Sequence, residues 1–286
     1  MKAPSALEQW VVWARDRREM EFRQAVHTLL AAVYAANGGM AGAPVLKGGV
    51  LLALRYGSER FTRDVDFSTT RRQGDLKPET LVAELAARLE MVVQELPYGL
   101  ACRVQRYELR PPSPSSTFPT LQVSIGYAPV QDSPRFQRLQ RGRAADVLQL
   151  DYSYNEVVTG VDLDMVDGGA TIRLSSLVDL VAEKYRALLQ QQERNRERYQ
   201  DSWDIHWLLQ CRPELHSALK REEVLRALYL KCHDRVEVSR ASMESEQLRT
   251  RAARRYPELE PLVRGTLPPF DDLWHAVKRY YESLPW

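Results

Sequence analysis

Hydrophobic residues recur at helical spacing in two long stretches of the chain. In the stretch 17–36 they return every three or four positions, and its apolar face consists of Phe22, Val26, Leu29, Leu30 and Val33. The stretch 79–95 does the same with Leu81, Leu85 and Leu89. This spacing predicts two amphipathic helices, each with one face turned toward a core. Asn37-Gly38-Gly39 predicts that the first helix ends in a left-handed turn.

Short apolar or alternating segments lie between and after these helices. They predict strands at 45–46, 65–67, 103–109, 121–127, 147–154 and 161–166. The proline- and serine-rich segment 111–119 predicts a loop. From Leu174 onward the apolar spacing is helical throughout. We therefore predict an α/β or α+β domain over residues 1–172 and a helical domain over residues 173–286.

The composition is that of a folded globular protein. Hydrophobic residues make up 44% of the 286 residues and charged residues 27%, with a net charge of +2, which excludes a disordered or fibrous chain. Three cysteines without paired spacing fit a reducing compartment. The longest mostly apolar run, 26–36, is too short to span a bilayer, and the first residues show no basic-then-apolar leader. We expect a cytoplasmic protein without a membrane segment.

Arginine is concentrated in two short stretches despite the near-neutral total charge. The first contains Arg135, Arg138, Arg141 and Arg143, and the second contains Arg249, Arg251, Arg254 and Arg255. Such clusters bind phosphate in many proteins. A solvated arginine face has the same pattern, so both interpretations stay open for each stretch.

Two aspartates, Asp64 and Asp66, stand two positions apart on a predicted strand. Residues two apart project from the same face of a strand. Neighbouring carboxylates on an otherwise apolar strand repel each other and are costly to desolvate. A divalent cation removes both costs, and oxygen ligands at this spacing suit Mg²⁺. We predict a metal site here.

Gly48-Gly49 lies between a predicted strand and a predicted helix that resumes at Val50. Glycines at such a junction let backbone N–H groups approach a phosphate, and the helix N-terminus favours its charge. The order strand, Gly-Gly, helix, Asp-x-Asp therefore predicts a phosphate cradle beside the metal site. The alternative is a tight turn followed by two exposed aspartates. Lys47, Arg60 and Arg63 surround this stretch and are candidates to hold phosphate, although one of them could instead pair with Asp64.

The stretch 47–67 resembles the nucleotidyltransferase superfamily, whose mark is a Gly-Gly or Gly-Ser turn followed by an Asp-x-Asp strand. Its Lys-Gly-Gly and Arg-Phe-x-Arg-Asp-x-Asp-Phe segments are more closely similar to the AbiEii/AbiGii toxin family of bacterial type IV toxin–antitoxin and phage-defence systems. Residues 148–156 resemble a later strand of that family, which carries the third carboxylate of the superfamily, here Asp151. Residues 177–209 resemble its helical segment, with Glu183-Lys184 and Asp201-Ser202-Trp203-Asp204.

The resemblance implies an α+β fold with a nucleotidyltransferase-type mixed sheet flanked by helices and followed by a C-terminal helical domain. It implies that Asp64, Asp66 and Asp151 bind Mg²⁺ or Mn²⁺ and a nucleoside triphosphate. Lys184 and Arg198 would reach the triphosphate, and Asp204 would orient Lys184 or contact the nucleoside. The family places arginine before the first Asp of Asp-x-x-Asp, where this chain has Gln200. Alternatively, Lys184 is a solvated lysine, and Asp201 and Asp204 are ion-pair partners of arginines.

The acceptor implied by the resemblance is RNA, with the 3′ end of tRNA as the first candidate and a cognate antitoxin as a further partner. Both arginine stretches would then contact the RNA. Transfer to a small molecule or a protein is the rival enzymatic function. A degenerate module that binds nucleotide without catalysis is the third. Three retained aspartates argue against that module, because a lost activity does not need them.

Overall fold

The computed structural model describes residues 6–34, 40, 44–113, 116–165 and 170–286. The predicted turn at Asn37-Gly38-Gly39 and the last residue of the predicted strand 161–166 lie outside the described residues. The first half of the chain forms α1 (Ala6–Val12), α2 (Arg17–Tyr34), β1 (Val45–Lys47), α3 (Gly48–Tyr56), β2 (Asp64–Ser68), α4 (Pro78–Glu95), β3 (Leu100–Arg110), β4 (Thr120–Pro129), α5 (Ser133–Gln140), β5 (Val147–Ser153), β6 (Val161–Met165) and β7 (Thr171–Ser175).

The second half of the chain is helical. It contains α6 (Leu177–Leu189), α7 (Tyr199–Cys211), α8 (Ala218–Cys232), α9 (Glu246–Ala253) and α10 (Phe270–Glu282). Short 3₁₀ helices at Pro213–His216, Arg240–Glu244 and Tyr256–Leu262 connect them. Residues 176–286, all of which are described, contain no named strand. Across the described residues, no helix combines the length and the apolar composition that crossing a bilayer requires.

The seven strands form one mixed sheet in the order β3-β4-β5-β2-β1-β7-β6. Strands β3, β4 and β5 are antiparallel neighbours, whereas β2 runs parallel to β5 and β1 runs parallel to β7. The predicted mixed sheet flanked by helices is thereby confirmed. Strands β2 and β5 are distant in sequence but adjacent in the sheet, which brings together the stretches around residues 65 and 150.

One face of the sheet is apolar and is covered by α2 and α4. These helices pack against each other and against β3, and the ring of Tyr34 on α2 contacts that of Phe67 on β2. Val65, Phe67, Leu150 and Tyr152 are buried on this face. The burial of apolar surface such as these side chains provide is the main favourable term in folding. The residues between them, including Asp64, Asp66 and Asp151, therefore project from the opposite face.

The contacts within the chain divide it into two compact units. The first comprises residues 1–50, 63–156 and 162–174, and the second comprises 51–62, 157–161 and 175–286. The second unit thus takes two short segments from the first half of the chain. The predicted division at residue 172 did not foresee that segments 51–62 and 157–161 belong to the second unit. That the two parts fold independently stays a prediction.

One local prediction was wrong, and two elements were not predicted. Helix α3 begins at Gly48, so both glycines lie in its first turn rather than before it. Residues 133–140, for which no helix was predicted, form α5, because Asp132 caps its N-terminus through the backbone N–H of Arg135 and a proline stands in the first turn. Strand β7 was missed because the last two of its five residues, Thr171–Ser175, overlap the start of the helical pattern at Leu174.

Candidate functional site

The polar face of the first unit brings two of the predicted carboxylates side by side. In the parallel pair β2–β5, Asp66 is the register partner of Asp151, and Asp64 is the partner of Gln149. Partners in a ladder project from the same face, and so do residues two apart on one strand. Asp64, Asp66 and Asp151 therefore share one face of two adjacent strands. Asp64 is exposed, whereas Asp66 and Asp151 are partly buried.

The donor chemistry of this face fits a hard divalent cation. Carboxylate oxygens are the protein ligands that Mg²⁺ and Mn²⁺ prefer. Among the described residues, however, no group of three His, Cys, Asp or Glu side chains is close enough to hold a metal ion as the side chains stand. The metal role of Asp64, Asp66 and Asp151 therefore stays a prediction.

The first residue of α3 lies directly against Asp66. Gly48 has a φ of +72°, and a Cβ built on it would stand 2.0 Å from Oδ2 of Asp66. Only glycine fits both this backbone conformation and this approach. The register of β1 and β2 places Lys47 beside Asp66 on the same face. The structure thus places Lys47, Gly48 and Asp66 together, and their role in holding phosphate stays a prediction.

Asp151 is held by a side chain that the sequence analysis missed. Nε2 of Gln122 on β4 donates a hydrogen bond of 2.9 Å to Oδ1 of Asp151. In the neighbouring row, the hydroxyl of Ser124 donates to Oε1 of Gln149 at 3.0 Å. An alternation of polar Gln122 and Ser124 with apolar residues was visible in the strand 121–127. Its significance depends on the register of β4 with β5, which the alternation does not reveal.

The two arginines predicted to surround the site go to different places. Arg63 is exposed just before β2. Arg60 belongs to the second unit, where only 6% of its surface is exposed. Its Nε and Nη2 donate to the two carboxylate oxygens of Asp204, at 2.8 and 2.9 Å. This bidentate pairing is the strongest geometry available to arginine. Arg60 therefore joins residues that the sequence analysis had assigned to the helical segment.

Lys184 and Asp204 form a buried ion network with Arg60. Nζ of Lys184 donates to Oδ2 of Asp204 at 2.6 Å and to Oδ1 of Asp201 at 3.0 Å. Arg198 lies 3.7 Å from the other oxygen of Asp201. Lys184 is 5% exposed and Asp204 is fully buried. The interpretation of Lys184 as a solvated lysine is wrong, because α6 turns this residue toward α7. Asp201 and Asp204 do have ion-pair partners, Arg198 and Arg60 among them, as the alternative interpretation of these two aspartates predicted.

The network keeps both partners charged. Burial alone would raise the pKa of Asp204, but the positive charges of Arg60 and Lys184 outweigh it, and the pKa lies below its ordinary value. Burial alone would lower the pKa of Lys184, but Asp204 and then Asp201 outweigh it, and the pKa is raised. Each shift favours the charged form, as expected where opposite charges lie within hydrogen-bonding distance.

The two arginine stretches differ in their surroundings. All four arginines of the stretch 249–255 contact acceptors: Arg249 with Glu246 and Asp271, Arg251 with Asn195, Arg254 with Glu197, and Arg255 with Glu258 and Glu197. In the other stretch Arg135 pairs with Glu21 and Asp146, whereas Arg138, Arg141 and Arg143 are exposed. The contacts favour a salt-bridged surface for 249–255 and leave Arg138, Arg141 and Arg143 as candidate phosphate contacts.

Comparison with known proteins gives the family. The family model described as nucleotidyl transferase AbiEii toxin, type IV toxin–antitoxin system, matches residues 29–279. No curated protein matches the sequence. An H. pylori protein solved as a candidate nucleotidyltransferase has a TM-score of 0.54 at 12% identity, with 94% of this chain and 95% of that chain covered.

JHP933 from Helicobacter pylori has a TM-score of 0.50 at 12% identity, with 94% and 92% covered. MenT4, a nucleotidyltransferase toxin from Mycobacterium tuberculosis H37Rv, has a TM-score of 0.49 at 14% identity, with 99% of both chains covered. At such identities the two Helicobacter structures support the fold alone. Because the family model spans most of the sequence, the chain belongs to the AbiEii family of nucleotidyl transferase toxins of type IV toxin–antitoxin systems.

Proposed function

We propose that this nucleotidyltransferase moves a nucleotide from a nucleoside triphosphate to an RNA acceptor, with the 3′ end of tRNA as the first candidate, at the polar face of β2 and β5. The observation that carries the proposal is the register of these strands, which pairs Asp66 with Asp151 and leaves Asp64 on the same face. Family membership supports the reaction class. The acceptor and the metal are our inference.

The proposed ligand set is Asp64, Asp66 and Asp151 for Mg²⁺ or Mn²⁺. The close approach of Gly48 to Asp66 supports it, because the backbone N–H groups of Gly48 and Gly49 and the Lys47 side chain are then near the phosphates that accompany the cation. When bound, such a cation supplies positive charge that offsets the charge on the α-phosphate and the departing pyrophosphate. Arg63 is a further candidate to hold phosphate.

The proposed step is an in-line displacement. The hydroxyl oxygen of the acceptor forms a bond to the α-phosphorus, and the bond from that phosphorus to the bridging oxygen breaks and releases pyrophosphate. Where Asp151 is not a metal ligand it is the base that takes the hydroxyl proton, and as a metal ligand it leaves that proton to the solvent. Gln122 holds Oδ1 of Asp151, which fixes the direction of the other oxygen. This positioning matters because a displacement of about 1 Å can cost roughly 10²-fold in rate.

Lys184, Asp204 and Arg198 enter the proposal from the family resemblance. Their contacts within the second unit support a role in which Asp204 fixes the position of Lys184 and Arg60 neutralises Asp204. Lys184 and Arg198 would contribute positive charge to triphosphate binding. We also propose a cognate antitoxin as a partner, because the family model describes toxins of two-component systems.

The test is a transfer assay with each of the four nucleoside triphosphates, labelled at the α-phosphate, with Mg²⁺ and total tRNA. We expect label on RNA with the wild type, and a loss of at least 10²-fold in Asp64→Asn and Asp66→Asn. A chelator should stop the transfer, and added Mg²⁺ or Mn²⁺ should restore it. Label on no RNA with any triphosphate would contradict the RNA acceptor.

The sheet itself provides a matched control. Strand β6 carries a second Asp-x-Asp, Asp162 and Asp164, and its neighbour in the sheet, β7, carries no carboxylate. The double variant Asp162→Asn/Asp164→Asn removes two negative charges from another strand of the same sheet. It should keep wild-type activity. Loss of transfer in this variant, or full transfer in Asp66→Asn, would show that the site has been placed on the wrong strand.

A further inference from the structure

Strand β3 carries exposed arginines on the same face of the sheet as the candidate carboxylates. Arg103, Arg106 and Arg110 are the register partners of Gly126, Ser124 and Thr120 on β4. A bulge between Val104 and Arg106 inserts one extra residue, which keeps Arg103 and Arg106 on one face although they are three positions apart. Nε of Arg106 donates to the Ser124 hydroxyl at 3.2 Å. We call these three residues the β3 arginine strip.

The strip connects to the candidate site through rows of polar side chains. Arg106 contacts Ser124, Ser124 contacts Gln149, and Gln149 is the register partner of Asp64. In the next row Gln122 contacts Asp151. Neighbouring strands lie about 4.8 Å apart, so β3 is roughly 10 Å from β5, which carries Asp151, and roughly 14 Å from β2, which carries Asp64. If a flexible polyanion binds along β3, the part of its chain that follows the bound phosphates can reach the carboxylates.

The arginines after α5 extend this surface at the Arg103 end. The side chains of Leu139 and Ala144 lie against Gly126, the partner of Arg103. A Cβ built on Gly126 would stand 2.5 Å from Cβ of Ala144. Arg138 and Arg143 immediately flank those two contact residues in the sequence, and both are exposed. Helix α5 thus covers one end of the polar face and adds positive charge beside the strip.

We propose that the β3 arginine strip binds the phosphate backbone of the acceptor RNA and leads its end to Asp64, Asp66 and Asp151. The proposal rests on the proposed function and names the surface by which the acceptor is held. Guanidinium groups pair with phosphate oxygens in bidentate geometry. Arg106 and Arg110 lie four residues apart, about 13 Å along the strand, which suits a chain of phosphates better than a single phosphate group.

The charges of the strip also favour a polyanion. Its three arginines share their face of β3 with a single acidic side chain, Glu108, which pairs with Arg110 at 2.5 Å. The exposed guanidinium groups lose little solvation when they bind, and the attraction is screened by salt. By contrast, every arginine of the stretch 249–255 already contacts an acceptor in the second unit.

The test measures how tightly the full chain binds a fluorescein-labelled tRNA transcript. Binding is monitored by fluorescence anisotropy at several salt concentrations. The triple variant Arg103→Glu/Arg106→Glu/Arg110→Glu should bind at least tenfold more weakly than the wild type. The slope of log affinity against log salt should fall by about 2 to 3, as expected for three lost phosphate contacts. The control Arg226→Glu/Arg240→Glu/Arg279→Glu makes the same charge change at exposed positions of the second unit and should bind as the wild type does.

Two further measurements separate this proposal from the transfer reaction. Asp66→Asn should keep RNA affinity while losing transfer, and the strip variant should keep the wild-type melting temperature. Wild-type affinity in the folded strip variant, or no binding of the transcript by the wild type, would overturn the strip as an RNA surface. Full transfer by Asp66→Asn would overturn the catalytic site but not the strip, because binding is measured without triphosphate.

Discussion

A single backbone position, Gly48, determines how closely α3 approaches the candidate site. Its φ of +72° is a conformation that residues with a Cβ rarely adopt, and Oδ2 of Asp66 occupies the space where that Cβ would be. Both constraints apply at the point where a cation or a phosphate would be bound. A small substitution here is therefore expected to affect catalysis more than its effect on stability alone would suggest.

Gly48→Ala is expected to reduce nucleotide transfer by roughly 10²-fold, because the new methyl group displaces the Asp66 carboxylate by an ångström or more. The left-handed backbone adds about 1–2 kcal/mol of destabilisation. Transfer to RNA and the free energy of unfolding in urea would be measured together on the same preparation.

Gly57 supplies the matched control. It also has a positive φ, +65°, but nothing lies within 4 Å of a Cβ built on it. Gly57→Ala should show a similar loss of stability and wild-type transfer. Equal losses of activity in the two variants would mean that backbone strain, rather than the contact with Asp66, explains the effect.

At the scale of elements, the network of Arg60, Lys184 and Asp204 joins α6 and α7 to the segment 59–61. Asp204 is fully buried and receives two hydrogen bonds from Arg60 and one from Lys184. A buried carboxylate with these partners is costly to break, because removal of its charge leaves two cations in a low-dielectric environment. This contact fixes how the two helices pack.

Asp204→Asn is expected to lower the free energy of unfolding by about 3–5 kcal/mol at neutral pH. The folded pKa of Asp204 is below its ordinary value of 3.8, so its contribution is present above that value and is lost as pH falls toward the folded pKa. The wild type should therefore lose stability more steeply than Asp204→Asn below about pH 3.8. Urea unfolding of both proteins between pH 3 and pH 7 measures this difference.

Asp201→Asn is the control for this series. Asp201 is less buried and contacts Lys184 through one oxygen, at 3.0 Å, so its removal should cost clearly less than that of Asp204. Equal costs would contradict the central role of Asp204. Transfer activity of Asp204→Asn, measured at a temperature at which it is folded, separately tests the catalytic role implied by the family resemblance.

Local patterns predicted most elements but not the partnerships between them. The spacing of Asp64 and Asp66 and the glycines at 48–49 identified one half of the candidate site, because strand and helix periods are local properties of the chain. Arg60 and Asp204 are 144 positions apart in the sequence, and no local pattern predicts that they pair. Gln122 was missed for the same reason, since its contact with Asp151 depends on the register of β4 with β5. Asp151 was identified only through the family resemblance.

At the scale of the whole molecule, the second unit depends on two segments that precede its helices in the chain. Segment 51–62 supplies Arg60 to Asp204. Segment 157–161 supplies Thr159, whose backbone N–H and hydroxyl donate to Oδ1 of Asp179 at 2.7 and 2.8 Å. Lys231 completes this cluster, with Nζ 2.8 Å from Asp179 and 2.7 Å from the carbonyl oxygen of Val157.

The fragment 173–286 is therefore expected not to fold on its own, although its sequence is helical throughout. Without the two segments, Asp204 loses its bidentate partner, and Asp179 and Lys231 lose backbone or hydroxyl partners while all three remain in buried positions. Each loss costs on the order of a few kcal/mol, and together they approach the 5–15 kcal/mol that a typical domain has in total. Circular dichroism should show reduced helix content and no cooperative urea transition.

The competing view is that helical periodicity and the apolar faces of α6 to α10 suffice, in which case the predicted division at residue 172 separates two independent domains. A cooperative urea transition in the fragment, with a midpoint near that of the full chain, would establish this. A fragment that gains such a transition on addition of a peptide spanning residues 51–62 would instead confirm that Arg60 and its neighbours complete the core. The outcome decides whether the helical half can fold as a separate module, because a unit whose buried charges are neutralised by a distant segment does not fold without that segment.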